Sequence, residues 1–254
     1  MRLAILSDIH GNLHALAAAW ADLITQAPDA VYCLGDLVGY GAYPNEVIDF
    51  VRARPALRPM PVLMGNYDDG VGHDRDDCGC VYKDPADDAR GQQSLMWTRA
   101  RVTPERKAYL RGLPFSLRPE TGGPVRVLLV HGSPRRINEY LYEDRPLKVF
   151  ENVARAAEAD VLVFGHTHLP YQKQVGETLF VNAGSVGKPK DGDPRAGYLL
   201  LEVDRDVRVT FRRVAYDVAA AAQAVRQSGL PPHFADLLET GGRAPVAAIG
   251  ARSG

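Results

Sequence analysis

Five short apolar runs in this chain end in the same kind of residue. Residues 3–6, 31–34, 62–64, 125–130 and 161–164 are followed, in turn, by Asp8-Ile9-His10, Gly35-Asp36, Gly65-Asn66-Tyr67-Asp68, His131-Gly132 and Gly165-His166-Thr167-His168. Runs this short read as buried strands. A strand that passes directly into carboxylate, amide or imidazole restricts the fold to one in which many strand ends open onto a common place. In an open α/β sheet the carboxyl ends of the strands border one crevice, where ligands bind.

Helical patterns separate the runs. Residues 11–26 place Leu13, Leu16, Ala17, Trp20, Leu23 and Ile24 on one face. Residues 44–54 open with Pro44 and carry Val47, Ile48 and Val51. Residues 146–159 repeat the scheme. Alternating strands and helices predict a layered α/β fold. Beyond residue 170 the pattern changes to paired strands, with a further run at 179–181 and a turn at Asp204–Asp206, which implies mixed sheets packed face to face. The expected organisation is one domain over 1–254, with a helical segment from about 215 (a closing helix over 215–229) and a loose Gly/Ala-rich tail. Residues 67–91, rich in Asp and Gly, read as an irregular excursion near the active face.

In extended backbone, residues i and i+2 share a face, so Asp8/His10 and His166/His168 are each expected to present two ligands together. The candidate set is Asp8, His10, Asp36, Asn66, His131, His166 and His168. It is too large for one tetrahedral ion and suits two ions sharing a carboxylate. Imidazole and oxygen without thiolate favour Mn, Fe, Zn or Co, with Mn first, over Ca or Mg. A single Gly-Asp after a strand is most often only a turn; the recurrence in this setting is what points to a dimetal site.

The blocks DIH, GD, GN, HG and GHTH, in this order, resemble the calcineurin-like metallophosphoesterase superfamily over roughly residues 1–200. SDIHGNLHAL, GDLVGYGAYPNEV and FVNAGSVGKP are closer to its bacterial branch of diadenosine tetraphosphatases and small phosphodiesterases. The resemblance implies a four-layer αββα sandwich of two mixed sheets flanked by helices. It also implies a first metal on Asp8, His10 and His168, a second on Asn66, His131 and His166, and Asp36 bridging them. The implied reaction is hydrolysis of phosphodiester, phosphomonoester or phosphoanhydride bonds of small, nucleotide-like substrates by a hydroxide held between two metals. A phosphoprotein phosphatase, or a metal-binding regulatory protein with weak catalysis, is the alternative.

One position departs from the family pattern. The superfamily usually carries a histidine after Gly-Asn that helps protonate the leaving group, and here the residue is Tyr67. A phenol of pKa ~10 is a poorly matched acid at neutral pH. Either Tyr67 acts and the enzyme prefers leaving groups that need little protonation, or Tyr67 packs and His14, Asp68, His73 or water supplies the proton. Arg135 and Arg136, just after a strand end, are candidates for holding substrate phosphate.

Composition sets the outer bounds. A net charge of −1 argues against nucleic acid or an anionic membrane as a partner. No apolar run approaches the ~18 residues of a membrane span. The three cysteines, Cys33, Cys78 and Cys80, fit a reducing cytoplasm better than a disulfide framework.

Overall fold

Leu3, Ala4, Ile5 and Leu6 have no solvent exposure, so the first strand must be covered on both faces. In a computed structural model that describes residues 1–53, 60–82 and 84–243, two sheets and two helical layers do this. In chain order the elements are β1 (Arg2–Leu6), α1 (Leu13–Thr25), β2 (Ala30–Cys33), α2 (Pro44–Arg52), α3 (Asn66–Gly72), α4 (Pro85–Arg101), α5 (Pro104–Arg111), β3 (Ser116–Leu117) and β4 (Val127–Val130). They continue with α6 (Leu147–Ala157), β5 (Val161–Phe164), β6 (Tyr171–Val175), β7 (Thr178–Asn182), β8 (Ala196–Val203), β9 (Val207–Val214), α7 (Val218–Ser228) and α8 (His233–Glu239).

One sheet has the order β2-β1-β8-β9 and the other β3-β4-β5-β7-β6. Both are mixed: β1 runs parallel to β2 and antiparallel to β8, while β5 runs parallel to β4 and β7, and β6 returns antiparallel. The period of two along each strand sorts the side chains. Leu3 and Ile5 point between the sheets with Leu199, Leu201, Leu129, Val161, Val163 and Val181. Ala4 and Leu6 point outward into a core shared with α1, α2, α7 and α8. On the far side Leu128, Val130, Leu162 and Phe164 meet Phe150 and Val153 of α6. The result is helix, sheet, sheet, helix, the predicted αββα sandwich.

Local chemistry accounts for the boundaries. The Asn12 side chain accepts from the Ala15 N–H at 3.0 Å and caps α1, and Pro44 occupies the first turn of α2. The run at 62–64 forms only a single bridge, Val62 to Cys33, because Pro61 lacks an N–H and the Met64 N–H turns away to the Pro114 carbonyl.

The excursion expected over 67–91 is corrected. Its first part is α3, its last part begins α4, and only the intervening stretch, its described residues 73–82 and 84, is irregular. The closing helix runs Val218–Ser228 and is followed by the separate α8. Arg54 and the tail beyond 243 lie outside the described residues.

Candidate metal centre

β1, β2, β4, β5 and β7 all deliver their carboxyl ends to one edge of the sandwich, and the chain crosses between sheets there. The His166 N–H donates to Asp8 Oδ2 at 3.0 Å, and His131 Nδ1 meets the Leu34 carbonyl at 2.9 Å. Residues expected as ligands thus stitch one sheet to the other. Gly165 permits this closeness, since a Cβ there would collide with Ser7 Oγ and Asp8 Oδ2.

Asp8 and His10, and likewise His166 and His168, do not meet their partners by extended alternation. All four, with Asp36, have left-handed backbone, φ 51 to 65°. Each such non-glycine residue costs on the order of 1 kcal/mol or more, strain that clusters at functional sites. The geometric consequence is a change of grouping. Asp8, His10 and His168 form one buried trio and Asp36, His131 and His166 another, with the donor atoms of each trio within 4.8 Å of one another. The two histidines of the GHTH block therefore face different trios. Asp36 Oδ2 lies 3.6 Å from His10 Nε2 and 3.5 Å from His131 Nε2, between the two groups.

Three imidazoles are locked by their far nitrogens. His10 Nδ1 faces the Val38 carbonyl at 3.0 Å, His131 Nδ1 the Leu34 carbonyl at 2.9 Å and His168 Nδ1 the Lys188 carbonyl at 2.5 Å. A carbonyl only accepts, so Nδ1 carries the proton and each Nε2 is left with a bare lone pair. Those lone pairs face other acceptors: His10 Nε2 and His168 Nε2 are 3.1 Å apart, and His131 Nε2 is 3.1 Å from Asn66 Oδ1. The Asn66 amide is oriented by its Nδ2, which donates to the Cys78 carbonyl at 2.9 Å. Asp8 Oδ1 and His166 Nε2 are buried without a hydrogen-bond partner among the described residues. Acceptors gathered around a common space are satisfied by cations, and this donor set of carboxylate, amide oxygen and imidazole fits two divalent ions.

The electrostatics agree. Burial works against the Asp8 carboxylate, but His168, His131 and His10 outweigh it and hold its pKa far below the usual range. Burial, aided by the Asp8 charge, pushes Asp36 up despite His131. Burial drives His10 and His166 well below the ordinary imidazole value and takes His168 down to about 4, keeping their lone pairs free. His131 differs: burial opposes its charged form, yet Asp36 and Asp8 prevail and push it up to about 10. Without a cation this ring takes the proton that the carboxylates demand, and its Nε2 lone pair is freed only when a metal replaces that proton. Two buried carboxylates thus place their demand for positive charge between the trios.

Other expected residues are placed elsewhere. Tyr67 is 1% exposed, its ring packs on Tyr40 and on the edge of His10, and its hydroxyl is 3.4 Å from the Gly91 carbonyl. Burial pushes that phenol well above its ordinary value, so a proton-donating role for Tyr67 finds no support in this geometry. What Tyr67 gives the centre is its backbone N–H, which holds Asp36 Oδ1 at 2.9 Å. Of the alternative donors, Asp68 accepts from the Leu37 and Gly65 N–H groups, both at 3.0 Å, and His73 pairs with Asp69 at the surface. His14 lines the cavity beside His10. Arg135 is also redirected, into a fork with Glu139 of its own loop, while Arg136 is exposed.

Several contributors carried little signal. Asp68, pushed up to about 7 by burial and the Asp36 charge, clamps the loops bearing Asp36 and Asn66. From three residues after Gly65 its carboxylate reaches back to accept the Gly65 N–H, the one half of a capping box that a glycine N-cap leaves possible. Ser185 Oγ donates to the Asp8 carbonyl at 2.7 Å, and Tyr140 packs on His166 with ring centroids 4.0 Å apart. Cys78 and Cys80, whose sulfurs lie 2.7 Å apart, sit beside Asn66.

Residues 1–206 match the family model described as the calcineurin-like phosphoesterase superfamily domain. An uncharacterized protein, MJ0912, of Methanocaldococcus jannaschii is 30% identical over 94% of this chain and 98% of its own length. The crystal structure of a metallophosphoesterase from Sphaerobacter thermophilus superposes with a TM-score of 0.76 at 32% identity, covering 95% of this chain and all of that one. The phosphodiesterase YfcE of Escherichia coli is 50% identical over 54 residues, 21% of this chain and 29% of its own.

Proposed function

The chain belongs to the calcineurin-like phosphoesterase superfamily, and from that premise we propose that its seven gathered ligands hold two divalent cations, manganese first among them, to hydrolyse small, nucleotide-like phosphate esters or anhydrides. It is a metal-dependent phosphoester hydrolase; the ligand assignment and the substrate are the proposed part. The observation that carries this reading is the set of buried acceptors facing one another, above all His10 Nε2 against His168 Nε2 at 3.1 Å and the unpartnered Asp8 Oδ1 and His166 Nε2.

Asp8, His10 and His168 would hold one ion, Asn66, His131 and His166 the other, with Asp36 between. When bound, such ions supply Lewis acidity toward phosphoryl oxygens and make water a stronger acid. The chain's own part is to hold the donors in place. The carbonyls of Val38, Leu34 and Lys188 fix three rings with Nε2 inward, Asp68 and the Tyr67 N–H fix the Asp36 loop, and Tyr40 and Tyr140 pack against the His10 and His166 rings. With the Tyr67 phenol turned to Gly91, the described residues present no strong acid there, which favours leaving groups that depart with little protonation.

The test is turnover of bis(p-nitrophenyl) phosphate, p-nitrophenyl phosphate, a simple alkyl phosphate and a dinucleoside polyphosphate by manganese-loaded protein. The reading predicts hydrolysis that chelation abolishes and manganese restores, with aryl and anhydride substrates ahead of the alkyl ester. Absence of turnover with each of Mn, Fe, Zn and Co would overturn it.

A further inference from the structure

Beside the first trio, beyond Tyr40, lies a cleft of about 260 Å³ whose charge and shape the metal centre does not explain. Its lining includes Tyr40, Tyr82, Lys188, Lys190, His233 and Phe234. Lys188 is only 8% exposed, its ammonium stands 4.3 Å from the Tyr40 ring centroid, and among the described residues no carboxylate pairs with it. A nearly buried amine without a counter-ion gives up its charge readily, and burial with the neighbouring Lys190 pushes Lys188 down to about 7; a ligand that brings negative charge keeps it protonated. Lys190, exposed at the mouth, adds a second ammonium that no described carboxylate pairs with. The one carboxylate on the lining, Asp87, is already shared between Arg90 at 2.7 Å and His233 Nε2 at 3.5 Å. The cleft therefore favours an anion.

Its position relates it to the centre. The Tyr40 ring is 4.9 Å from that of His10, and the Lys188 carbonyl holds His168 Nδ1. The Tyr40 side chain stands between the two spaces, so a ligand in the cleft lies next to the centre. The remaining wall is aromatic: Tyr40 and Tyr82 join hydroxyls at 2.6 Å, and the Tyr40 and Phe234 rings lie 5.1 Å apart. Phe234 and His233 come from α8, which lies beyond the residues 1–206 matched by the family model. The Gly192 N–H, on the loop that carries both lysines, donates to the Gly241 carbonyl at 2.9 Å, and this ties the loop to the same C-terminal segment.

We propose that this cleft, closed by the C-terminal helices, holds the non-reacting phosphate of a nucleoside di- or polyphosphate, with Lys188 and Lys190 on the phosphate and the aromatic wall against the nucleoside. The proposal rests on the hydrolase reading above for what happens next. Water adds its oxygen to the reacting phosphorus, its proton is released to solvent, and the anhydride P–O bond breaks. The electron pair leaves with the departing phosphate, whose negative charge the two ammonium groups accept.

ADP is the probe. Its affinity for metal-free protein is measured by calorimetry, and its kcat/KM with manganese is compared with that of bis(p-nitrophenyl) phosphate, which carries no second phosphate. The exposed Lys190→Gln and Lys190→Glu variants guard against loss of folding, with Lys188→Gln as the buried counterpart and melting curves for all. Each glutamine variant is expected to weaken ADP binding about 10-fold, the usual worth of one charge-assisted bond, and Lys190→Glu more. The ADP-to-diester selectivity is expected to fall by a similar factor. ADP affinity and selectivity within twofold of wild type in Lys190→Glu, or no ADP binding by wild type, would overturn the cleft assignment. Failure to turn over the diester while ADP still binds in the lysine-dependent way would sink the hydrolase reading and leave the cleft standing.

Discussion

The two ends of the same strands carry charge in opposite ways. At the amino ends Arg2 pairs with Glu202 and Arg126 with Asp160, both at 2.8 Å, with every partner at least 36% exposed. At the carboxyl ends Asp8, Asp36 and Asp68 are at most 2% exposed, among imidazoles that cannot all be protonated. Solvated pairs contribute little because water competes for both partners. Buried charges cost several kcal/mol each unless compensated. A fold that keeps the costly arrangement at one end, and adds five left-handed backbone positions to build it, is maintaining a function there rather than stability.

The largest expected effect that sharpens this contrast is at Asp36. Asp36→Asn keeps an oxygen for the Tyr67 N–H but removes the charge between the trios. Metal content should fall below two ions per chain, and kcat/KM on bis(p-nitrophenyl) phosphate by at least ~100-fold. Manganese, which stabilises the native state by mass action, should raise the melting temperature of the wild type more than that of the variant. Metal analysis with thermal melts checks this, and full activity and stoichiometry would break the contrast.

The smallest effect is expected at the other end. Hydrogen bonds from the Arg126 side chain and its backbone N–H hold the Asp160 carboxyl below the usual range. A depressed carboxyl pKa contributes stability that is fully present above the unfolded value, ~3.9, and is lost as pH falls through the folded one. Asp160→Asn should therefore lower the melting temperature at pH 7 by no more than about 2 °C, with the difference closing below pH ~4. A loss as large as that at the metal edge would erase the distinction between the two ends.

What was legible in the sequence followed from periodicity and from ligand chemistry at strand ends. β1, β2, β4 and β5 show as apolar runs, and the residues after them are the ones the structure gathers. The left-handed backbone at Asp8, His10, Asp36, His166 and His168 was not legible, because L-residues adopt it only under tertiary constraint. α4 was hidden because its buried face is Gly91, Ser94, Leu95 and Thr98, mostly small or polar residues that leave no apolar stripe. α3 carries two glycines in seven residues and owes its start to Asp68. The cationic cleft was not legible as a unit because Lys188 and Phe234 are 46 positions apart and only the fold brings them to one wall.

The most direct measurement is anomalous scattering at the manganese edge from crystals grown with that ion. Two peaks are predicted, one among Asp8, His10 and His168 and one among Asn66, His131 and His166, with Asp36 touching both. Peaks confined to surface carboxylates, with none at this edge, would contradict the account.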